Sequence, residues 1–272
     1  MNNDFGLHLK RMMLGTAAGH LLLATRSKFN LLSTAIRHPE RVGTVANDQI
    51  AGALLPMLCR PGMTFIDVGA HIGSVVADVI RHDKSINIIA FEAIPEKAAA
   101  LCRKFPGVTI HECAAGDHEG DVSFFINQKK SGYSSLGRPS NADELQKITV
   151  PMRRLDDLIS ADNIDAIKID VEGAELGVLI GAKRIIEQNQ PVIMFESGPG
   201  DNGLGYTKEA MWDFFDGIGY SIHMPSRVAH DDIGLSKSGF IDGHVYPRRC
   251  TNYFAIPVER RDEIRDCARK LK

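Results

Sequence analysis

Residues 64–73 read Thr-Phe-Ile-Asp-Val-Gly-Ala-His-Ile-Gly, and Glu92 follows nineteen positions after Gly73. The apolar run predicts a buried strand that ends near Asp67, and the glycines predict a tight turn into a helix. A second apolar run, 86–91, leads directly into Glu92. Because the carboxyl ends of parallel strands meet at one edge of a sheet, this layout predicts a nucleotide-type cofactor site there.

The spacing of the glycines distinguishes between cofactors. A dinucleotide fingerprint, G-x-G-x-x-G, brings backbone N–H groups onto a pyrophosphate. Here three residues separate Gly69 from Gly73, and the middle glycine is absent. We therefore predict S-adenosylmethionine, which has no pyrophosphate, rather than NAD. Asp67 is expected to serve the amino-acid end of this cofactor, and Glu92 is expected to accept hydrogen bonds from both ribose hydroxyls.

Strands and helices alternate from residue 64 onward, which predicts an α/β sandwich with right-handed crossovers. Strands are expected at 64–68, 86–91, 108–113, 166–171, 191–196, 220–224 and 252–257, with a weaker one at 122–127. Helices are expected at 74–82, 95–105, 174–188, 208–215 and 258–272. Residues 1–62 are expected to form an N-terminal helical extension, residues 63–272 the α/β domain, and residues 128–147 a long polar loop.

A second acidic group lies at the exit of the predicted strand 166–171. Asp170 and Glu172 follow the strand closely, and crowded carboxylates repel unless they hold a proton, a cation or a substrate. Glu175 suits the first turn of the next helix, and Lys168 shares a face of the strand with Asp170. Three roles remain open for Asp170 and Glu172: general base, hydrogen-bond anchor for a substrate, or ligand of a divalent metal together with Glu196.

Five segments together resemble the FkbM-type S-adenosylmethionine-dependent methyltransferases. They are FIDVGAHIG (65–73), FEAIP (91–95), AAGD (114–117), RLDDL (154–158) and IKIDVEGAE (167–175). The resemblance covers roughly residues 45–257, and its most specific block is KIDVEGAE (168–175). It implies a Rossmann-like class I methyltransferase sandwich, with a mostly parallel seven-stranded sheet and helices on both faces.

The resemblance also implies O-methylation of a hydroxyl on a small molecule, a sugar or a natural-product intermediate. It implies cofactor contacts for these residues: Asp67, Gly69, Ala70, Gly73, Glu92, Ala93, Ala114 and Asp117. Ser134 and Ser135 match a serine-bearing segment near the active site of the family, and we expect them to form a lid with Glu196 on the acceptor side. For the base that takes the hydroxyl proton, Asp170 is the first candidate, Glu172 the second and His71 the third.

Composition limits the other classes of function. The formal charge of −2 gives no electrostatic support for binding nucleic acid. Five cysteines without CxxC spacing predict reduced thiols in a cytoplasmic protein rather than a metal cluster. Through residue 41, six basic residues oppose two acidic ones. Residues 1–45 are therefore expected to form an amphipathic helical segment, which could cap the domain, contact another copy of the chain or lie on a membrane surface.

Two rival functions come from other classes. One is an NAD-dependent oxidoreductase or epimerase, which the absent middle glycine and the lack of a Tyr-x-x-x-Lys pair disfavour. The other is a non-enzymatic methyltransferase-like scaffold that recruits a partner or a membrane through the basic N-terminal helix. Intact Asp67, Gly69, Glu92 and Asp170 argue against a decayed site.

Overall fold

The computed structural model of the protein describes residues 17–127, 145–198, 204 and 206–271. Two helices precede the sheet in this part of the chain, α1 (Ala17–Arg37) and α2 (Val42–Leu54). The end of α2 and the short helical turn Leu55–Leu58 bury their leucines in the core that covers one face of the sheet. The helical extension is therefore joined to the α/β domain by apolar packing rather than by a free linker.

Ten strands follow along the described chain. They are β1 (Thr64–Val68), β2 (Asn87–Phe91), β3 (Thr109–His111), β4 (Ala114–Ala115), β5 (Gly120–Asn127), β6 (Leu145–Arg153), β7 (Ile164–Ile169), β8 (Val192–Glu196), β9 (Tyr220–His223) and β10 (Asn252–Pro257). Seven of them form one sheet in the order β3-β2-β1-β7-β8-β10-β9. Its pairs are parallel except those of β10, which runs antiparallel to β8 and β9. The predicted mostly parallel seven-stranded sheet is confirmed.

Eight further helices connect or follow these strands. They are α3 (Ser74–His82), α4 (Pro95–Lys104), α5 (Leu155–Leu158), α6 (Glu175–Gly181), α7 (Lys183–Asn189), α8 (Lys208–Gly217), α9 (Lys237–Asp242) and α10 (Arg261–Ala268). Two apolar cores cover the two faces of the sheet, and neighbouring residues of β1 divide between them. Ile66 packs in one core and Phe65 in the other. This alternation explains why strand β1 is buried along its whole length.

The sequence interpretation was wrong in two places. The single helix expected at 174–188 is two helices, because the backbone leaves the helical conformation at Ala182, with φ of −114° and ψ of 12°. The polar stretch that begins at residue 145 is strand β6, which pairs with β5 and β4 in a second, three-stranded sheet. The end of the predicted loop 128–147 is therefore a strand, and residues 128–144 lie outside the described part of the chain.

Candidate functional site

The turn after β1 is built around two glycines. Gly69 and Gly73 both adopt left-handed backbone, with φ of 80° and 79°. A Cβ on Gly69 would collide with the backbone carbonyl of Asp170, and a Cβ on Gly73 would collide with the Phe105 ring. His71, between them, also has a positive φ of 53°. The turn therefore needs glycine at both positions, for conformation and for close approach.

Glu92 stabilises this turn from the end of β2. Its Oε2 accepts a hydrogen bond from the His71 N–H at 2.8 Å, and its Oε1 accepts one from the Ile94 N–H at 3.0 Å. Burial raises the pKa of Glu92, and the nearby charge of Lys97 opposes that rise. Each carboxylate oxygen can accept a further hydrogen bond, so Glu92 can hold the turn and bind a ligand at the same time.

Lys168 connects the first turn to the end of β7. Its Nζ donates a hydrogen bond to the Gly69 carbonyl at 2.8 Å, and lies 3.2 Å from Asp67 Oδ1 and 3.4 Å from Asp170 Oδ2. The Asp67 side chain is fully buried. Burial acts to lower the pKa of Lys168, but the two carboxylates raise it above its usual value. Lys168 therefore carries its charge inside the protein, between two acidic residues of neighbouring strands.

Three carboxylates meet at the ends of β7 and β8. Oxygens of Asp170, Glu172 and Glu196 lie within 4.8 Å of one another. Burial, and then the charge of Asp170, raises the pKa of Glu196 to about 10 and that of Glu172 to about 8. Burial acts to raise the pKa of Asp170 as well, but Lys168 and a hydrogen bond from Glu196 hold it below its usual value. At neutral pH the cluster therefore holds protons on the two glutamates and a negative charge on Asp170.

Glu175 organises the turn that carries Glu172. Its Oε1 accepts hydrogen bonds from the Val171 N–H at 3.1 Å and the Gly173 N–H at 3.0 Å. Within this turn Glu172 has a positive φ of 57°. Glu175 thus has the structural role at the helix start that its position in the sequence predicts: it fixes the backbone of the turn that carries Glu172.

A cavity opens at the carboxyl ends of β1, β2 and β7. Predicted site residues among those that line it are Gly69, Ala70, His71, Glu92, Ala93, Ala114, Asp170 and Glu172. A second cavity adjoins it and shares Glu172. Residues that line the second cavity include Glu196, Ser197, Tyr206, Thr207 and Lys208. The acidic cluster therefore lies where the two cavities meet.

The model of the methyltransferase FkbM domain matches residues 67–222, more than half of the chain. The chain belongs to the FkbM methyltransferase family. The match begins at Asp67, on the strand before the glycine turn, and includes the whole acidic cluster.

Two curated relatives share part of this FkbM domain. The 2-O-methyltransferase NoeI of Sinorhizobium fredii is 27% identical over 190 residues, which cover 62% of this chain and 76% of NoeI. Methyltransferase 1 of Beauveria bassiana is 23% identical over 43% of this chain and 57% of its own length. A crystal structure of methyltransferase FkbM from Methylobacillus flagellatus is 18% identical, with a TM-score of 0.45, over 85% of this chain and 59% of that one. The chain thus spans between about half and three quarters of these proteins.

The FkbM domain places four of the predicted residues away from the first cavity. Asp67 lies behind the cavity wall, paired with Lys168, and Gly73 begins α3 against the Phe105 ring. Asp117 lines another cavity with Met152 and Tyr206, where it accepts a hydrogen bond from the Tyr206 hydroxyl at 2.9 Å. Glu196 lines the second cavity, on the side where an acceptor was expected. The predicted lid residues, Ser134 and Ser135, lie outside the described residues.

Among the cavity residues of the FkbM domain that the sequence did not predict, three bear on the chemistry of the site. Lys97 is 7% exposed in the first turn of α4, and its charge acts on Glu92. Phe124 reaches the cavity from β5 in the second sheet. Lys168 was recognised as a neighbour of Asp170 but not as a residue of the site, although it also lines the cavity. Lys97 could have been recognised, because it shares the buried face of its helix with the apolar residues Ala98 and Leu101. No local sequence pattern indicates that Phe124 reaches the cavity.

Proposed function

We propose that this methyltransferase transfers the methyl group of S-adenosylmethionine to a hydroxyl oxygen of a polyhydroxylated acceptor such as a sugar. The observation that carries the proposal is the pair of adjoining cavities with Asp170 and Glu172 at their junction. NoeI, a relative, is a 2-O-methyltransferase, which supports the hydroxyl as the acceptor group. The five free thiols of the chain are in keeping with action in the cytoplasm.

The first cavity suits S-adenosylmethionine better than NAD. In a dinucleotide site the backbone N–H groups of the glycine turn would be open to a pyrophosphate. Here the central N–H of the turn, that of His71, already donates to Glu92. Glu92 retains the capacity to bind two ribose hydroxyls, and Phe124 and Val75 supply apolar wall for a base.

The second cavity is lined by groups that suit a hydroxylated acceptor. The side chains of Ser197, Tyr206 and Thr207 offer hydroxyls, Lys208 offers a charged donor, and Glu196 offers a carboxyl group. Within the protein, Ser197 pairs with His244, Tyr206 with Asp117 and Thr207 with the Ala210 N–H. Each hydroxyl can form a further hydrogen bond, so this wall can position an acceptor that carries hydroxyls of its own. We therefore infer an acceptor that carries several hydroxyls.

The cofactor supplies a methyl group on a positively charged sulfur, already activated for displacement. The chain orients the acceptor hydroxyl toward that carbon and excludes water from the junction of the cavities. S-adenosylmethionine would be consumed as a co-substrate: the acceptor oxygen would take its methyl group, and the electron pair of the broken carbon–sulfur bond would stay on sulfur. The hydroxyl proton becomes strongly acidic during this step, so the ionised Asp170 can accept it despite its low pKa.

The acidic cluster also has the oxygen donors that a magnesium or calcium ion would use. Asp170, Glu172 and Glu196 together offer at most part of a shell of six or more oxygens. Lys168 Nζ, 3.4 Å from Asp170 Oδ2, already places a positive charge beside this cluster. We favour Asp170 as a base over a metal ligand, and the experiment below separates the two roles.

Replacing Asp170 by asparagine keeps the size of the side chain and removes its charge. We expect turnover to fall by about 10²-fold or more, with S-adenosylmethionine affinity within about threefold of the unmodified protein. Turnover is measured as +14 Da products from a library of glycans and polyols, and affinity by isothermal titration calorimetry. Asp162→Asn, at an exposed site, is the matched control.

Normal turnover of the Asp170→Asn protein would remove Asp170 from the mechanism and leave Glu172 or His71 as the base. Chelator treatment of the unmodified protein should leave turnover unchanged. Loss of turnover with a chelator, and its return with Mg²⁺, would instead assign the cluster to a metal ion.

A further inference from the structure

Helix α1 exposes a row of large apolar side chains. Leu22, Phe29, Leu32 and Ile36 are 56%, 69%, 60% and 74% exposed. Their spacing of seven, three and four residues places them on one side of a helix that advances 100° per residue. Isolated exposed apolar residues are ordinary, but four aligned on one helix form a continuous apolar surface.

Basic side chains border this row on both sides. By the same helical geometry, Arg26 and Arg37 lie along one border and Lys28 along the other, and all three are exposed. Helix α1 contains no acidic residue. Basic residues that flank an apolar row are the pattern of a helix that lies in the plane of a membrane surface, since long cationic side chains reach the headgroups while apolar ones insert.

The opposite side of α1 faces the protein. Gln49 of α2 donates a hydrogen bond through Nε2 to the Ser27 carbonyl at 2.9 Å, and Leu31 and Thr34 are half-buried. Helix α2 in turn packs its last residues into the core. The apolar row is therefore presented outward from a helix whose other side is held by the protein.

We propose that the apolar row of α1 docks on an anionic membrane surface. Charge decides between this partner and a second copy of the chain. Two copies joined through their apolar rows would bring the flanking bases together with no acidic residue of α1 to pair with them, which is unfavourable. Anionic lipid headgroups pair with Arg26, Lys28 and Arg37 instead.

The mode of attachment is peripheral. Among the residues that the structure describes, no helix is long and apolar enough to cross a membrane. The basic charge is also local: residues 17–41 contain four basic residues and one acidic residue, in a chain whose formal net charge is −2. Electrostatic attraction would therefore orient α1, rather than the rest of the surface, toward the lipid.

Sedimentation of the full-length protein with vesicles tests the proposal. We expect binding to vesicles of mixed phosphatidylcholine and phosphatidylglycerol, and at least about tenfold weaker binding to phosphatidylcholine alone. Phe29→Ser/Ile36→Ser should weaken binding to the mixed vesicles by at least about tenfold, because two inserted apolar side chains are lost. Arg26→Glu/Lys28→Glu should have a similar effect, and raising the salt concentration should weaken binding of the unmodified protein.

The matched control is Ile233→Ser, which removes an apolar side chain that is 96% exposed elsewhere on the surface. It should leave vesicle binding unchanged, and circular dichroism should show all variants folded. Equal binding to both kinds of vesicle, or no effect of Phe29→Ser/Ile36→Ser, would overturn the proposal. So would a concentration-dependent dimer in analytical ultracentrifugation that Phe29→Ser/Ile36→Ser abolishes, since a second copy would then be the partner. None of these readouts depends on methyl transfer.

Discussion

Replacing Lys168 by methionine is expected to destabilise the protein strongly at neutral pH. The substitution removes the positive charge 3.2 Å from Asp67 Oδ1, and the Asp67 side chain has no exposed surface. Within the described residues, neither Asp67 oxygen has a hydrogen-bond donor of good geometry. Breaking a buried ion pair by removal of one partner typically costs about 3–5 kcal/mol.

Protonation of Asp67 limits how much unfolding free energy the variant loses, and this limit depends on pH. Burial already raises the pKa of Asp67 in the unmodified protein, where Lys168 opposes the rise. Without Lys168 the rise is unopposed, and the carboxyl group can take up a proton in the folded state. Starting from an unfolded pKa of about 3.9, protonation at pH 7 costs about 4 kcal/mol, and this cost falls by about 1.4 kcal/mol per pH unit on acidification. The variant also loses the hydrogen bond from Lys168 to the Gly69 carbonyl, which lowers the free energy of unfolding by about 1 kcal/mol more at any pH.

The sign of the pH dependence follows from the raised pKa of Asp67 in the folded variant. Above the unfolded pKa of about 3.9, the folded state of Lys168→Met therefore binds more protons than the unfolded state, so its stability falls as pH rises. We expect the variant to lose about 4–5 kcal/mol of unfolding free energy at pH 7 and about 2–3 kcal/mol at pH 5, relative to the unmodified protein at each pH.

Urea denaturation followed by tryptophan fluorescence measures these free energies. Trp212 is the sole tryptophan, and its ring N–H donates to the Leu235 carbonyl at 3.0 Å, so its emission should report unfolding. The control is Lys168→Met/Asp67→Asn, which should regain part of the stability and lose the difference between pH 5 and 7. A loss below about 1 kcal/mol at pH 7, or an equal loss at both pH values, would refute the reasoning.

Two further substitutions test the cofactor turn. Glu92→Ala should weaken S-adenosylmethionine binding by about 2–4 kcal/mol in isothermal titration, through loss of charge-assisted hydrogen bonds, whereas Glu96→Ala at an exposed position of α4 should not. Unchanged affinity of Glu92→Ala would show that Glu92 does not hold the ribose. Gly69→Ala should lower the melting temperature far more than Gly62→Ala, because both glycines have positive φ but only at Gly69 would a Cβ collide with backbone. Equal decreases in melting temperature would show that the backbone at Asp170 can move to accommodate the added methyl group without cost.

The cofactor edge of the sheet could be predicted because its signals are local. A buried strand, a glycine turn and an acidic residue after the next strand are each encoded within a few residues, and parallel pairing brings the strand ends together. Glu92, Asp170 and Glu172 therefore lie at one cavity, as expected from the sequence.

The sequence predicts where a residue lies along a strand better than it predicts which neighbours its side chain contacts. Asp67 shares a face of β1 with Phe65, and that face is covered by one of the two cores. Its register partner on β7 is Lys168, so the two side chains meet inside the protein rather than over the edge of the sheet. The sequence places Asp67 at the strand end, but only the neighbouring strand determines that it pairs with a lysine.

The second sheet depends on pairing between distant residues. Strand β6 is polar and mostly exposed near its start, so it lacks the apolar run that identifies a buried strand. Its pairing with β4 draws the chain after Ala115 away from the first cavity, and Asp117 with it. Such long-range pairing leaves no local pattern, which is why the contribution of Phe124 to the cavity was missed.

The backbone of His71 and Glu172 bears on the rival idea of a non-enzymatic scaffold. Both residues hold positive φ without being glycine, in turns that follow the adjacent strands β1 and β7. A third such residue, Gln190, follows the last turn of a helix, where that conformation is common. Glycine would adopt either turn at lower free energy, so the two side chains are held there at a cost in stability. Backbone strain of this kind, beside a cavity and on chemically reactive side chains, favours a catalytic site over a scaffold.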